Sequence, residues 1–287
     1  MDISIQRRRA EELLRLHRPG DPVVLVNAWD VVSARLVERA GARAIATSSA
    51  AVAWSIGYAD GELISRGEML DVVARIARAV SVPVTADLEA GYGPTPAHVA
   101  DTVRFAIEAG AVGMNLEDSV ARGPEHPADP LYAIDAAVER VSAARAAANQ
   151  LGIPFVLNAR TDVFLLQVGD AATRMARAIE RANAYRAAGA DSLFVPGKLG
   201  RDDIRTLARE IQGPINVLVF PGSPTVAELA ELGVGRISVG GGAARGALAT
   251  LARGAADVYE RGQFDTLVDH ALSHADLNGL FQSVVHA

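Results

Sequence analysis

Three consecutive pieces decide the fold: Val82-Pro-Val-Thr-Ala-Asp-Leu-Glu-Ala-Gly-Tyr-Gly93, an amphipathic run over Ala97–Ala109, and Val112-Gly-Met-Asn-Leu-Glu-Asp118. The first and last are short β-rich apolar runs that stop abruptly in carboxylates. The middle piece repeats apolar residues at the helical period and closes in Ala109-Gly-Ala111. Glycine there supplies the left-handed C-cap that turns a helix back toward the next strand. Strand, helix and strand in this order make parallel strands joined by a right-handed crossover.

The same alternation extends in both directions. Strand candidates are Val23–Trp29, Ala44–Ser48, Val82–Asp87, Val112–Leu116, Phe155–Ala159, Ser192–Val195, Asn216–Phe220 and Arg236–Val239. Amphipathic stretches between them include Val31–Ala40, Glu68–Val80, Ala133–Leu151, Ala171–Ala188 and Val226–Leu232. Ala40-Gly-Ala42, Ala188-Gly-Ala190 and Leu232-Gly-Val234 repeat the capping phrase. Eight strand–helix units are the number that closes a (β/α)8 TIM barrel, an α/β fold. An open doubly wound sheet needs a Gly-rich phosphate loop after its first strand, and Asn27-Ala-Trp-Asp30 is not one.

A helix over Ile3–Leu16 precedes the barrel, and a C-terminal pair over Ala243–Arg261 and Gln263–Val285 follows it. No linker divides the chain, so residues 1–287 read as a single domain. The C-terminal helices, with Leu277, Leu280 and Phe281, exceed what a barrel needs and are expected to pack on another subunit.

The chain of 287 residues is 50% hydrophobic and can bury a large core. Its net charge of −6, with both signs mixed, gives no electrostatic case for nucleic acid or an anionic membrane. The absence of cysteine excludes disulfides, thiolate metal sites and a Cys nucleophile. No apolar signal segment opens the sequence and no membrane-length apolar run occurs, so a soluble, cytoplasmic protein is expected.

In such barrels chemistry occupies the C-terminal ends of the strands. The third and fourth strands end in Asp87, Glu89, Glu117 and Asp118. Acids gathered on one rim repel each other unless protons or a cation compensate. Asp87, Glu89 and Glu117 are hard oxygen ligands that suit Mg²⁺ or Mn²⁺. Asp118 taken alone reads as a solvated loop acid or helix cap. Arg160, ending the fifth strand, can hold two oxygens of a substrate carboxylate in its planar fork; an ion pair with Asp162 is the alternative. Ser48, Ser49 and Ala50 follow the second strand and can form an anion nest, or either serine can cap the next helix. Trp29 and Asn158 end the first and fifth strands. Asp60 lies in a loop long enough to fold over the site. The Pro-rich connection Ser119–Tyr132 has the length of a functional lid, and its Arg122, Glu125 and His126 can each handle a proton. Lys198, the single lysine, reads as a solvated loop residue, with a Schiff base as the alternative.

Asn27-Ala-Trp-Asp, Ser48-Ser49-Ala50, Gly57-Tyr-Ala-Asp60, Asp87-Leu-Glu-Ala-Gly-Tyr-Gly93, Asn115-Leu-Glu-Asp118 and Asn158-Ala-Arg160 occur in this order. With them the chain resembles the isocitrate lyase/phosphoenolpyruvate mutase superfamily over nearly its whole length. The resemblance implies that Asp87 contacts Mg²⁺, with Glu89 and Glu117 acting partly through water. It implies that Ser48, with the Ser49 and Ala50 amides, and Arg160 hold the α-oxo-carboxylate of a small substrate, and that Asp60 sits near the metal. It also implies a barrel that exchanges its eighth helix with a neighbour, as a homodimer or homotetramer.

The chain departs from the pattern where the family's C–C lyases carry a Cys-bearing loop and its mutases and hydrolases a Lys and an Asn. A mutase His corresponds to Pro196. What remains is the electrophilic half of the chemistry, a metal-stabilised enolate, which suffices to decarboxylate an oxaloacetate-type acid. The expectation is therefore a Mg²⁺-dependent carbon–carbon lyase on a small α-keto or α-hydroxy dicarboxylate, with Arg160, Asp60, Glu117 and His126 as the catalytic candidates. Phosphonopyruvate hydrolysis or mutase-type P–C chemistry is the alternative, and a non-catalytic metabolite binder a further one.

Overall fold

A computed structural model describes residues 3–120 and 129–282. The N-terminal helix α1 (Ile3–Leu16) leads into β1 (Val23–Leu25) and α2 (Val31–Arg39), then β2 (Ile45–Ala46), α3 (Ser49–Ser55) and α4 (Arg66–Ala79). The deciding βαβ unit follows as β3 (Val84–Asp87), α5 (Pro96–Glu108) and β4 (Gly113–Glu117). Next come α6 (Ile134–Gln150), β5 (Val156–Arg160), α7 (Ala171–Ala187), β6 (Ser192–Phe194), α8 (Arg201–Glu210), β7 (Ile215–Leu218), α9 (Val226–Glu231) and β8 (Arg236–Ser238). The chain ends in α10 (Gly242–Arg261), α11 (Asp265–Val268) and α12 (His274–Gly279).

The eight strands are parallel and ordered β1-β8-β7-β6-β5-β4-β3-β2. An isolated parallel bridge, Ala28 to Thr47, joins the two ends, with Ala28 N–H on Ala46 O at 2.8 Å and Ser48 N–H on Ala28 O at 3.1 Å. The expected barrel is therefore closed, though six strands are shorter than the apolar runs that announced them and β4 and β5 lie one residue further along. Gly110 at the end of α5 has φ +94°, the left-handed cap expected of Ala-Gly-Ala.

The mouth and the floor are set by local chemistry. Asp30 and Ser33 form a reciprocal capping box at the start of α2, and Ser48 caps α3 with its Oγ accepting from Ala51 N–H at 3.4 Å. At the opposite end α1 lies under the strands. Its Leu13 is fully buried where Gly113 leaves room, since a Cβ there would meet Leu13 Cδ2 at 2.9 Å.

The C-terminal region departs from expectation. The helix expected over Gln263–Val285 is broken into α11 and α12, with His270 in the left-handed region (φ 63°) and Ser273 opening α12 as an N-cap. Leu280 is buried on its own chain, its carbonyl accepting from Arg35 Nε of α2 at 2.9 Å. Residues 283–287 lie outside the described residues. Along α10 only Ala244 and Gly254 are buried, while Leu248, Leu251 and Tyr259 are exposed. Among the described residues no helix is long and apolar enough to cross a membrane.

Candidate active site

Register brings the proposed residues together. Asp87 pairs with Asn115 across β3 and β4, and Glu117 pairs with Arg160 across β4 and β5. Glu117 N–H also donates to Glu89 O at 2.9 Å, which sets the two strand-end acids side by side. Two adjoining cavities, of about 190 and 140 Å³, open here and share Ser49, Asp60 and Arg160. The first is lined by Glu62, Glu89 and Glu117, the second by Ser48, Ala50, Asp87 and Asn115 together with Phe194, Pro196 and Leu218.

Each acid is held differently. Asp87 Oδ2 accepts from Ser49 N–H at 3.0 Å and Ser49 Oγ at 2.8 Å, and its Oδ1 accepts from Asn115 Nδ2 at 3.1 Å. Glu89 Oε2 accepts from Glu62 N–H at 2.6 Å. Burial, with Asp60 and Asp87 nearby, pushes the Glu89 carboxyl up to about 8. Glu117 takes a hydrogen bond from Ser119 Oγ and an ion pair from Arg160 Nη1 at 2.7 Å. Burial, followed by Asp162 and Asp87, still holds its pKa well above the ordinary range. Arg160 is forked onto Asp162, Nε to Oδ1 at 2.6 Å and Nη2 to Oδ2 at 3.0 Å. Burial opposes its charge, but Asp162 and Glu117 keep it firmly protonated. Three of the five guanidinium N–H groups are thus engaged and one on each Nη can meet a ligand.

The donor chemistry fits a hard divalent cation. More buried carboxylate faces the mouth than Arg160 neutralises, and metal charge would lower the proton affinity of each acid. Among the described residues no three acids or histidines stand close enough to bind one ion directly. One or two carboxylates with water completing the shell is the mode Mg²⁺ prefers.

Several expected residues sit elsewhere. Asp118 is neither solvated nor a cap: it is buried outside the barrel wall, accepting from Arg181 Nη1 at 2.9 Å and Tyr185 OH at 2.6 Å. Consecutive strand residues face opposite sides, so Glu117 and Asp118 cannot share a rim. Both the N–H and Oγ of Ser49 are committed to Asp87, which removes that amide from an anion nest. Trp29 lines neither cavity and packs against the core, while Asn27 lines the smaller one. Asn158 is fully buried beneath the site, its Nδ2 on Asn115 Oδ1 at 2.7 Å. Lys198 is exposed, not in the buried setting that imine chemistry calls for. His126, Arg122 and Glu125 lie outside the described residues. The base of their loop is an antiparallel pairing, with Val120 N–H on Pro130 O at 2.8 Å and Tyr132 N–H on Asp118 O at 2.8 Å.

The phosphoenolpyruvate phosphomutase family matches residues 13–259. The chain belongs to the phosphoenolpyruvate mutase/isocitrate lyase superfamily. An uncharacterized protein of Mycobacterium tuberculosis is 37% identical over 225 residues, covering 78% of this chain and 80% of its own. The 2-methylisocitrate lyase of Escherichia coli is 34% identical (74% of each chain covered), and the oxaloacetate decarboxylase of Paraburkholderia xenovorans 30% (77% and 70%). A crystal structure from Burkholderia cenocepacia, provisionally named a lyase/mutase, superposes with a TM-score of 0.89 at 42% identity over 98% of both chains.

At this mouth the sequence reading missed Glu62. Its carboxylate accepts from Tyr92 N–H at 2.9 Å while its own N–H holds Glu89. Glu62, Glu89 and Tyr92 all have positive φ, 59°, 49° and 56°. The signal available was Gly61 beside it in a loop already suspected of covering the mouth.

Proposed function

We propose that this protein is a Mg²⁺-dependent lyase that releases CO₂ from a small oxaloacetate-type acid. The observation that carries this reading is the mixed lining of the smaller cavity. Asp87 and Arg160 line it together with Phe194, Pro196 and Leu218, and the Arg160 guanidinium lies 5.8 Å from the Phe194 ring. A substrate's C1 carboxylate belongs against the two outward Arg160 N–H groups, beside the Ser48 end of α3. A carboxylate at C4 that lies against these apolar side chains is poorly solvated, and its conversion to neutral CO₂ is favoured. A divalent cation bound at Asp87 would supply Lewis-acid polarisation of the C2 oxo group, the electron sink for that step. Ser49 and Asn115 keep Asp87 aimed, and water can protonate C3. Relatives that bear the name oxaloacetate decarboxylase support the reading.

The test is a panel of α-keto acids and phosphonates with and without Mg²⁺. The expected outcome is CO₂ release from oxaloacetate above the free-Mg²⁺ rate, lost in EDTA and in Arg160→Ala. Inert oxaloacetate with brisk turnover of methylisocitrate or phosphonopyruvate overturns it. P–C bond chemistry is the second reading, favoured by the phosphomutase family that the chain matches, and phosphate release from phosphonopyruvate reports it.

For assembly we propose a homodimer or homotetramer in which α10 crosses to a second copy. Its exposed Leu248 and Leu251 have no partner surface on their own barrel, and an apolar groove of about 420 Å³ between β1 and α2, lined by Val24, Val26, Leu36 and Val37, stands open. A monomeric mass in light scattering at micromolar concentration contradicts it.

A further inference from the structure

The least expected side chain in the barrel is Arg236, the first residue of β8. It is 1% exposed and heads the largest fully buried side chains, in an interior that such barrels fill mainly with Val, Ile and Leu. Its Nη1 reaches His17 Nε2 at 3.4 Å and its Nη2 reaches Asn115 Oδ1 at 3.1 Å, while Nε has no hydrogen-bond partner. Burial pulls its pKa down to about 9, and the charge that opposes this fall is Asp87. A buried guanidinium with an orphan N–H costs several kcal/mol, which packing alone does not offset.

Its contacts help fix the orientation of one amide at the rim. An Asn amide can be placed two ways round, and the choice follows from its neighbours. Arg236 carries donors only, so Asn115 must present Oδ1 to it, and Asn158 Nδ2 donates to the same oxygen at 2.7 Å. Asn115 Nδ2 is then obliged to face Asp87 Oδ1. The reverse placement would set an amide oxygen against a carboxylate and an NH₂ against two donors. Ser49 holds only the other oxygen, Oδ2.

We propose that Arg236 is a positioning residue for the cation site, acting from below through Asn115 to keep Asp87 aimed at the mouth. The inference rests on the reading that Asp87 meets a divalent cation. It has a counter-intuitive sign. Simple Coulomb repulsion says that deleting a cation under the site tightens metal binding; positioning through Asn115 says that deletion loosens it.

The test is Mn²⁺ binding to the full-length protein, read by water-proton relaxation without substrate. In Arg236→Met and in Asn115→Leu the dissociation constant is expected to rise about tenfold or more, the loss of one charge-assisted contact. The double variant is expected to be no weaker than either single one, because both break the same chain of contacts. Arg236→Lys is expected to recover most of the affinity, since it retains a donor and a charge. Should Arg236→Met fail to fold, Asn115→Leu carries the test alone. Unchanged or tighter Mn²⁺ binding in a folded variant, or additive losses in the double variant, overturns the inference. A wild type that binds no Mn²⁺ overturns the cation reading and this inference with it, whereas wild-type binding matched by the variants overturns this inference only.

Discussion

Glu117 and Asp118 are adjacent in the chain, and both are largely buried acids, yet they belong to two different regions. Asp118 looks outward between β4 and α7, where Arg181, Tyr185 and the Asp162 N–H satisfy it. Glu117 looks inward, where Asp87, Glu89, Asp60 and Glu62 crowd the mouth and Arg160 is shared with Asp162. The outer cluster has as many donors as its acid needs. The inner one has an excess of acid. A balanced buried charge holds a fold together, while an unbalanced one is matched to something that arrives later.

That contrast is open to attack on both sides. The largest expected effect is Asp87→Ala, which should lower kcat/KM on the order of 10³-fold or more while leaving urea unfolding nearly unchanged. An equal loss of stability would return Asp87 to the structural class. Asp118→Ala should behave in the opposite way. It leaves Arg181 buried without its carboxylate and should cost about 3–5 kcal/mol in unfolding, with kcat retained in the folded fraction. Saturating Mg²⁺, at about 100 times its dissociation constant, should add about 2.7 kcal/mol to the wild type and nothing to Asp87→Ala. A calorimetric midpoint indifferent to Mg²⁺ in both proteins would break the comparison.

The smallest effect lies at the barrel floor, where a base rather than an acid is buried. Burial, with Arg236 behind it, lowers His17 to about 3. The unfolded chain therefore takes up this proton first as pH falls, and stability is lost on acidification below about 6.5. At pH 5 the loss from this group should be about 2 kcal/mol relative to pH 8. His17→Gln should flatten that part of the pH–stability curve; an unchanged slope assigns it to the rim carboxylates instead.

Much of this was legible in the sequence, for reasons that differ by residue. The eight strands announced themselves because strands buried on both faces read as continuous apolar runs. The rule placing chemistry at strand ends then found Asp87, Glu89, Glu117 and Arg160 without coordinates. It misjudged Asp118 because a strand end offers two faces and the pattern does not say which partner waits on each. Arg181 and Tyr185, far along the chain, decided the matter. Helix α8 was passed over although its buried Ile204 and Leu207 keep helical spacing. The break before α12 was signalled by Ser273 three residues ahead of Asp276, a capping pair inside a stretch read as one helix. Arg236 passed as an ordinary strand opener, because nothing local marks an arginine that points into a barrel.

The three left-handed residues at the mouth bear on engineering. Glu62, Glu89 and Tyr92 each occupy a conformation that costs a non-glycine residue on the order of 1–3 kcal/mol. Anyone seeking a heat-tolerant version of this barrel would be drawn to these positions first, since glycine relieves such strain. At Glu62 the exchange would keep the N–H that holds Glu89 and delete the carboxylate that holds Tyr92. The tougher protein would have a slacker mouth, so thermal selection and catalytic selection pull on this loop in opposite directions.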